Sequence, residues 1–370
     1  MKKTIQIIAI ICLIFSLSFS GFTVAANSKI TVFTTGIVSG NVGNEVIKYA
    51  ENVFQKHLYS FFADGLITGQ ITDCTLGHYF TVKNTTTNDD IVYFPVLKNG
   101  EIIGLLEISY NNYEYTSSYS KSFSEELTRL LSEKDGRNYL LLTDGNILQA
   151  FDGKATNDIF RFFYSDFQST KMLVSQSEIM NYSKVITYED LTTDLYGLCD
   201  GAENGTLAYD GPKAYKTLNV PIVQQTGPNC WAATCASVIN YYNGTTLGAD
   251  DVGRFINPGN PTAHATWTDM QNAYAHWGIS ATRTDRISFS AVKSSINAND
   301  PMHLLIRSAT NGHSITLIGY EDCSNTGNGY VLILIEPATG QRRTQLLKSD
   351  GNFEYSLGGQ IFEWKKTIRF

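Results

Sequence analysis

The sequence predicts an α+β protein in two folded parts. Three observations carry that expectation: a long amphipathic helix near the start, strand pairs joined by tight-turn dipeptides after it, and a helix start followed by apolar strands beyond residue 220. At 370 residues the chain is long enough for a core in each part. Its 43% hydrophobic and 17% charged residues bury enough apolar surface to offset chain entropy.

The first part is read over residues 28–200. Val46, Ala50, Val53, His57 and Phe61 recur at three-to-four spacing and Gly65 follows, so a helix with a glycine cap is expected. Residues 91–97 and 101–108 flank Asn99-Gly100, two residues that tolerate positive φ, which predicts a hairpin. A second hairpin is expected around Asp144-Gly145, between 139–142 and 146–151, with a short helix over 124–133 separating the two. The result is a helix on an antiparallel sheet. His57 and His78 have no Cys or paired carboxylate at an interpretable spacing and are read as structural.

Charge and composition exclude several functions. A net charge of -7 spread along the chain offers no Lys/Arg footprint for a phosphate backbone, so nucleic acid is not an expected partner. No phosphate-binding glycine loop and no His/Cys/carboxylate cluster at metal-ligand spacing occurs, so no cofactor or metal is expected. At the N-terminus, Lys2-Lys3 precede an apolar run from Ile5 to Phe15 and then Val24-Ala25-Ala26, the pattern of a signal peptide over residues 1–26 removed after Ala26. That run is short for a membrane span, so the expected protein is secreted and holds no stable span once the signal is gone. Cys74, Cys199, Cys230, Cys235 and Cys323 then remain, an odd and scattered set that is no disulfide framework, and their pairing is left open.

Residues 201–219 lose periodicity and carry Gly201, Gly205, Gly211 and Pro212, which reads as a linker and as the place for an activating cut. Beyond it, over residues 220–370, lies the run that carries chemistry. Gly227-Pro228 break structure, Asn229 suits a helix cap, and Cys230 opens an apolar-periodic segment through Cys235, Val238, Ile239 and Tyr242. A cysteine at a helix N-terminus is favoured as thiolate, the form that attacks carbonyls. Gln224 precedes it by six positions and could donate its amide beside the Cys230 N–H to a developing oxyanion, with Gln225 as the competitor. His313 follows a turn glycine and starts a β-branched strand, which can project an imidazole into a cleft; His264, His276 and His303 lack that setting. Glu336 closes the apolar strand of residues 331–335 and could hold His313 in its useful tautomer, with Asp322 and Asn328 as rivals. Trp231 and Trp267 are equally cleft or core residues.

The order Val220-Pro221-Ile222-Val223-Gln224, Cys230-Trp231-Ala232-Ala233, Gly312-His313 and Glu336-Pro337 resembles the papain-like cysteine peptidases, in particular their bacterial C39-like branch and the effector peptidases of plant pathogens. The resemblance implies a catalytic domain of two lobes, a helical one carrying Cys230 and an antiparallel sheet lobe carrying His313 and Glu336. It also implies hydrolysis of a peptide or protein substrate by Cys230 and His313, with Gln224 at the oxyanion. Where those families usually have Asn or Asp before Pro, this chain has Glu336. The first part is similar in architecture to cystatin-like propeptides, which implies a zymogen whose own pro-domain inhibits it. Acyl transfer, trimming of cell-wall peptides and a non-catalytic binding protein are the alternative readings.

Overall fold

The computed structural model describes residues 35–111, 114–133, 135–162, 184–195, 209–309, 311–326, 329–347 and 353–370. The signal peptide, Cys199, Asn328 and residues 201–208 of the expected linker lie outside them.

The first half opens with β1 (Gly36–Ser39) and the helix α1 (Asn44–Ala63). As expected, Gly65 ends it: at φ +71° the chain reverses, and the Gly65 and Leu66 N–H groups donate to the carbonyls of Phe62 and Phe61. Then come β2 (Cys74–Leu76), β3 (Phe80–Asn84), β4 (Asp90–Lys98), β5 (Glu101–Asn111), β6 (Glu114–Ser120), α2 (Ser124–Ser132), β7 (Asn138–Thr143), β8 (Ile147–Phe151), β9 (Thr156–Arg161), β10 (Lys184–Thr187) and α3 (Tyr188–Leu191). The β4–β5 hairpin turns on Asn99 and Gly100, both at positive φ. In the β7–β8 turn at Asp144-Gly145, the Asp144 carboxylate accepts the N–H groups of Asn146 and Ile147.

The second half runs β11 (Ala214–Thr217), α4 (Cys230–Asn243), α5 (Ala249–Ile256), α6 (Trp267–His276), β12 (Thr282–Asp285), α7 (Phe289–Asn297), β13 (Met302–Arg307), β14 (Gly312–Asp322), β15 (Tyr330–Glu336), β16 (Gln341–Leu346), β17 (Glu354–Leu357) and β18 (Gln360–Arg369). The strands β18, β13, β14, β15 and β16 lie side by side, all antiparallel. Helices α4, α5 and α6 build a separate apolar cluster around Trp231, Val238, Val252 and Tyr274. The architecture is thus α+β with a large, mostly antiparallel sheet; among the described residues the parallel pairings are those of β7 with β1 and β3. No helix among the described residues is long and apolar enough to cross a membrane.

The halves do not form separate cores. Strand β16 pairs with β6 of the first half, Arg343 opposite Ser120 and Gln345 opposite Ser118, so one sheet runs through both. One apolar cluster joins Phe80, Tyr93 and Leu141 to Leu332, Leu334 and Phe362, and another joins Phe94 and Leu106 to Val331 and Leu346. Residues Thr34–Phe370 accordingly form one compact unit. Polar side chains seal the seam. His57 of α1 is fully buried, its ring nitrogens 3.0 Å from Thr344 Oγ1 and 2.9 Å from Ser117 Oγ. Glu321 of β14 accepts the Ser60 N–H at 3.0 Å, and burial raises its carboxyl to about 8. Part of the expected linker is also structure, since β11 pairs with β14.

Separation of the halves would strip β16 of its β6 partner and leave these buried polar groups unpaired. A specific protease site introduced between residues 195 and 209 and then cut should therefore leave two pieces that co-elute in gel filtration and part only on unfolding. Elution as two folded species would contradict the shared core.

Candidate active site

Cys230 is the first residue of α4. Asn229 occupies the cap position, as expected, but its side chain turns away from the helix. Its Oδ1 accepts the N–H groups of Thr226 and Gly227 at 3.1 and 3.2 Å, and its Nδ2 donates to Asp250 at 3.2 Å. This bracing fixes the turn before Cys230 and leaves the first-turn amides of α4 without a capping side chain, so the positive end of the helix lies at the sulfur. Cys74, Cys235 and Cys323 are buried thiols, pushed by burial up to about 11, 12 and 12. Cys230, by contrast, is only half-buried.

His313, the second residue of β14, is buried beside it. Its side chain is hydrogen-bonded to Cys230, and its Nε2 lies 2.8 Å from Glu336 Oε1. Burial alone would lower the imidazole pKa; the Glu336 charge, then the Cys230 charge and the hydrogen bonds to both, outweigh it and raise the value to about 10. Glu336 ends β15 because Pro337 cannot continue the ladder. Burial pushes its carboxyl up, but the His313 charge and hydrogen bond, the Tyr355 O–H and the Ala338 N–H at 2.8 Å together hold it below the usual carboxylate range. The extra methylene of Glu336 over Asp thus still delivers an oxygen to the imidazole. Its rival Asp322 is engaged elsewhere, with Lys293 and Ser324.

Cys230 and His313 share a cavity of about 740 Å³, with Trp231, His264, Met270 and Arg307 among its lining. Trp231 is locked there by an Nε1 donation to Ala263 O at 2.9 Å, whereas Trp267 packs under Arg283. The wall position of His264 had no sequence signal. All the lining residues fall between 228 and 366, and none of the described residues of the first half is among them. The described residues of the first half instead meet the second at β16, through its pairing with β6.

Gln224 is exposed and is not part of that lining. Its Nε2 donates to Ala338 O at 3.3 Å, which leaves one of the two amide hydrogens over. Gly340, at φ +63°, admits it; a Cβ there would stand 2.9 Å from Gln224 Cβ. Gln225 is buried, and its backbone N–H donates to Pro337 O at 2.9 Å.

The comparisons with known proteins bear on this second half. Residues 214–353 match the family described as papain-like cysteine protease AvrRpt2. Among solved structures, a Bacillus anthracis protein described as C39-like peptidase aligns over 37% of this chain and 99% of its own, at 15% identity and a TM-score of 0.25. No curated protein matches the chain.

Beneath α4, His303 is fully buried, its Nδ1 2.9 Å from the Tyr274 hydroxyl and 4.0 Å from Cys235 Sγ. Burial, and after it the His313 charge, lower its pKa to about 3, and burial lowers His57 similarly to about 3. Both pKa values are depressed in the folded state, so the stability they contribute is present above about 6.5 and lost as pH falls toward 3. Denaturant midpoints measured across that window should fall, and the fall should be shallower in His303→Gln. An unchanged slope in that variant would contradict the buried neutral imidazole.

Proposed function

We propose that this papain-like cysteine peptidase is an exported enzyme that cleaves peptide bonds with Cys230 as nucleophile, His313 as acid and base, and Glu336 orienting His313. The observation that carries this reading is the hydrogen-bonded line from Cys230 through His313 to Glu336 at the wall of an open cavity. Helices α4 and α6 on one side and strands β13, β14 and β18 on the other are then the two walls of a substrate cleft. Export is proposed from the N-terminal apolar run and its small-residue end.

In this reading the Cys230 thiolate attacks a substrate carbonyl, and the C–N bond then breaks as His313 gives its proton to the leaving amine. Water, deprotonated by His313, releases the acid from the thioester. The Cys230 N–H and the spare amide hydrogen of Gln224, an amide set beside the Glu336 loop by Ala338, receive the oxyanion.

Cys230→Ala should stay folded and lose hydrolysis of a casein or peptide substrate, while Gln224→Ala should lower turnover about 100-fold. Labelling by a peptide carrying a thiol-reactive electrophile should need both Cys230 and His313. Thiol-dependent turnover retained in Cys230→Ala would reject the assignment.

A further inference from the structure

We infer that Tyr355 is the positioning residue for the Glu336 carboxylate and that the first half of the chain, through Glu107, is what holds Tyr355 in place. The inference rests on the proposed roles of Cys230, His313 and Glu336 and adds to them a group from outside the region that carries the motif.

Glu336 has two oxygens with separate duties. Oε1 faces His313 and Ala338 N–H, and Oε2 accepts the O–H of Tyr355. A carboxylate held at one oxygen only could pivot about its last torsion; the second bond fixes the plane that His313 meets. Tyr355 is fully buried and sits in β17, a four-residue strand paired to β18 on one side. On its other side, side chains of the first half hold it. Thr116 donates to the Glu354 carbonyl at 3.2 Å and Ser109 to Ser356 Oγ at 3.1 Å. Ser356 in turn donates to Glu107 Oε1.

Glu107 and Arg343 close this arrangement. The Arg343 guanidinium, buried, lies 3.2 Å from Glu107 Oε2, donates to Ser118 Oγ and the Ser356 carbonyl, and stands 4.8 Å over the Tyr355 ring. Tyr93 donates to the same Glu107 oxygen at 3.2 Å. Two charges this deep are kept only as a pair, so Glu107 of the first half fixes Arg343, and Arg343 with Ser356 fixes the ring whose hydroxyl meets Glu336. The contact between the halves is thereby part of the catalytic geometry.

The test is a kinetic cycle in the full chain on a peptide substrate. Tyr355→Phe removes one hydroxyl and keeps the ring, so it should fold, leave KM within about twofold and lower kcat about tenfold or more. In a Glu336→Gln background the same change should add nothing, because Tyr355 acts only through that carboxylate. Glu107→Gln should lower kcat in the same direction and likewise lose its effect when combined with Tyr355→Phe. Should Glu107→Gln not fold, Ser356→Ala takes its place in the cycle. A kcat for Tyr355→Phe equal to that of the parent, or an effect that multiplies with Glu336→Gln, would overturn the inference while activity still required Cys230 and His313. Loss of that requirement would instead overturn the functional reading itself.

Discussion

The buried contact between His313 and Glu336 is the constraint on which the rest of the site depends. Neither group would stay charged alone at that depth, since desolvation acts against the ionised form of both. Each is ionised because the other is, and the surrounding donors complete the set: Ala338 N–H and Tyr355 O–H on the carboxylate, Cys230 on the imidazole. The sheet makes the meeting possible. Strands β14 and β15 are antiparallel neighbours with Thr316 opposite Ile335, so the start of one and the end of the other emerge at the same margin. Helix α4 brings the sulfur to that margin by its N-terminus, where its dipole favours a negative charge.

The same contact explains why the two halves are built as one. The carboxylate is tied to Tyr355, Tyr355 lies under Arg343, and Arg343 is neutralised by Glu107 from more than 200 residues earlier. His57, Glu321 and Gln345 add buried polar bonds at the same seam. Such groups contribute little net stability when paired and cost a great deal when exposed singly to an apolar interior. They therefore specify the docking more than they drive it; the apolar clusters shared by both halves drive it.

Cys230, His313 and Glu336 were legible in the sequence because each sits at the end of a regular element marked by a breaker: Gly227-Pro228, Gly312 and Pro337. The helix of residues 44–63, the hairpin at Asn99-Gly100 and the helix of residues 124–132 were legible for the same reason. The seam was not. Its strands read Glu-Tyr-Thr-Ser-Ser-Tyr-Ser and Gln-Arg-Arg-Thr-Gln-Leu, which carry no apolar alternation, yet Thr116, Ser117, Ser118, Arg343, Thr344 and Gln345 are all buried. Period-two hydrophobicity detects faces that pack through carbon, and this one packs through hydrogen bonds. Tyr355 escaped notice because β17 is four residues long and its partner carboxylate lies on another strand.

The most direct measurement of the central claim is the nitrogen-resolved NMR spectrum of the His313 ring, assigned by comparison with His313→Gln, recorded from neutral pH upward. An imidazolium protonated at both nitrogens at pH 7.5, and titrating near pH 10, is what a buried carboxylate partner requires. A neutral ring of one tautomer at pH 7.5 would contradict it and, with it, the ion pair on which this site is built.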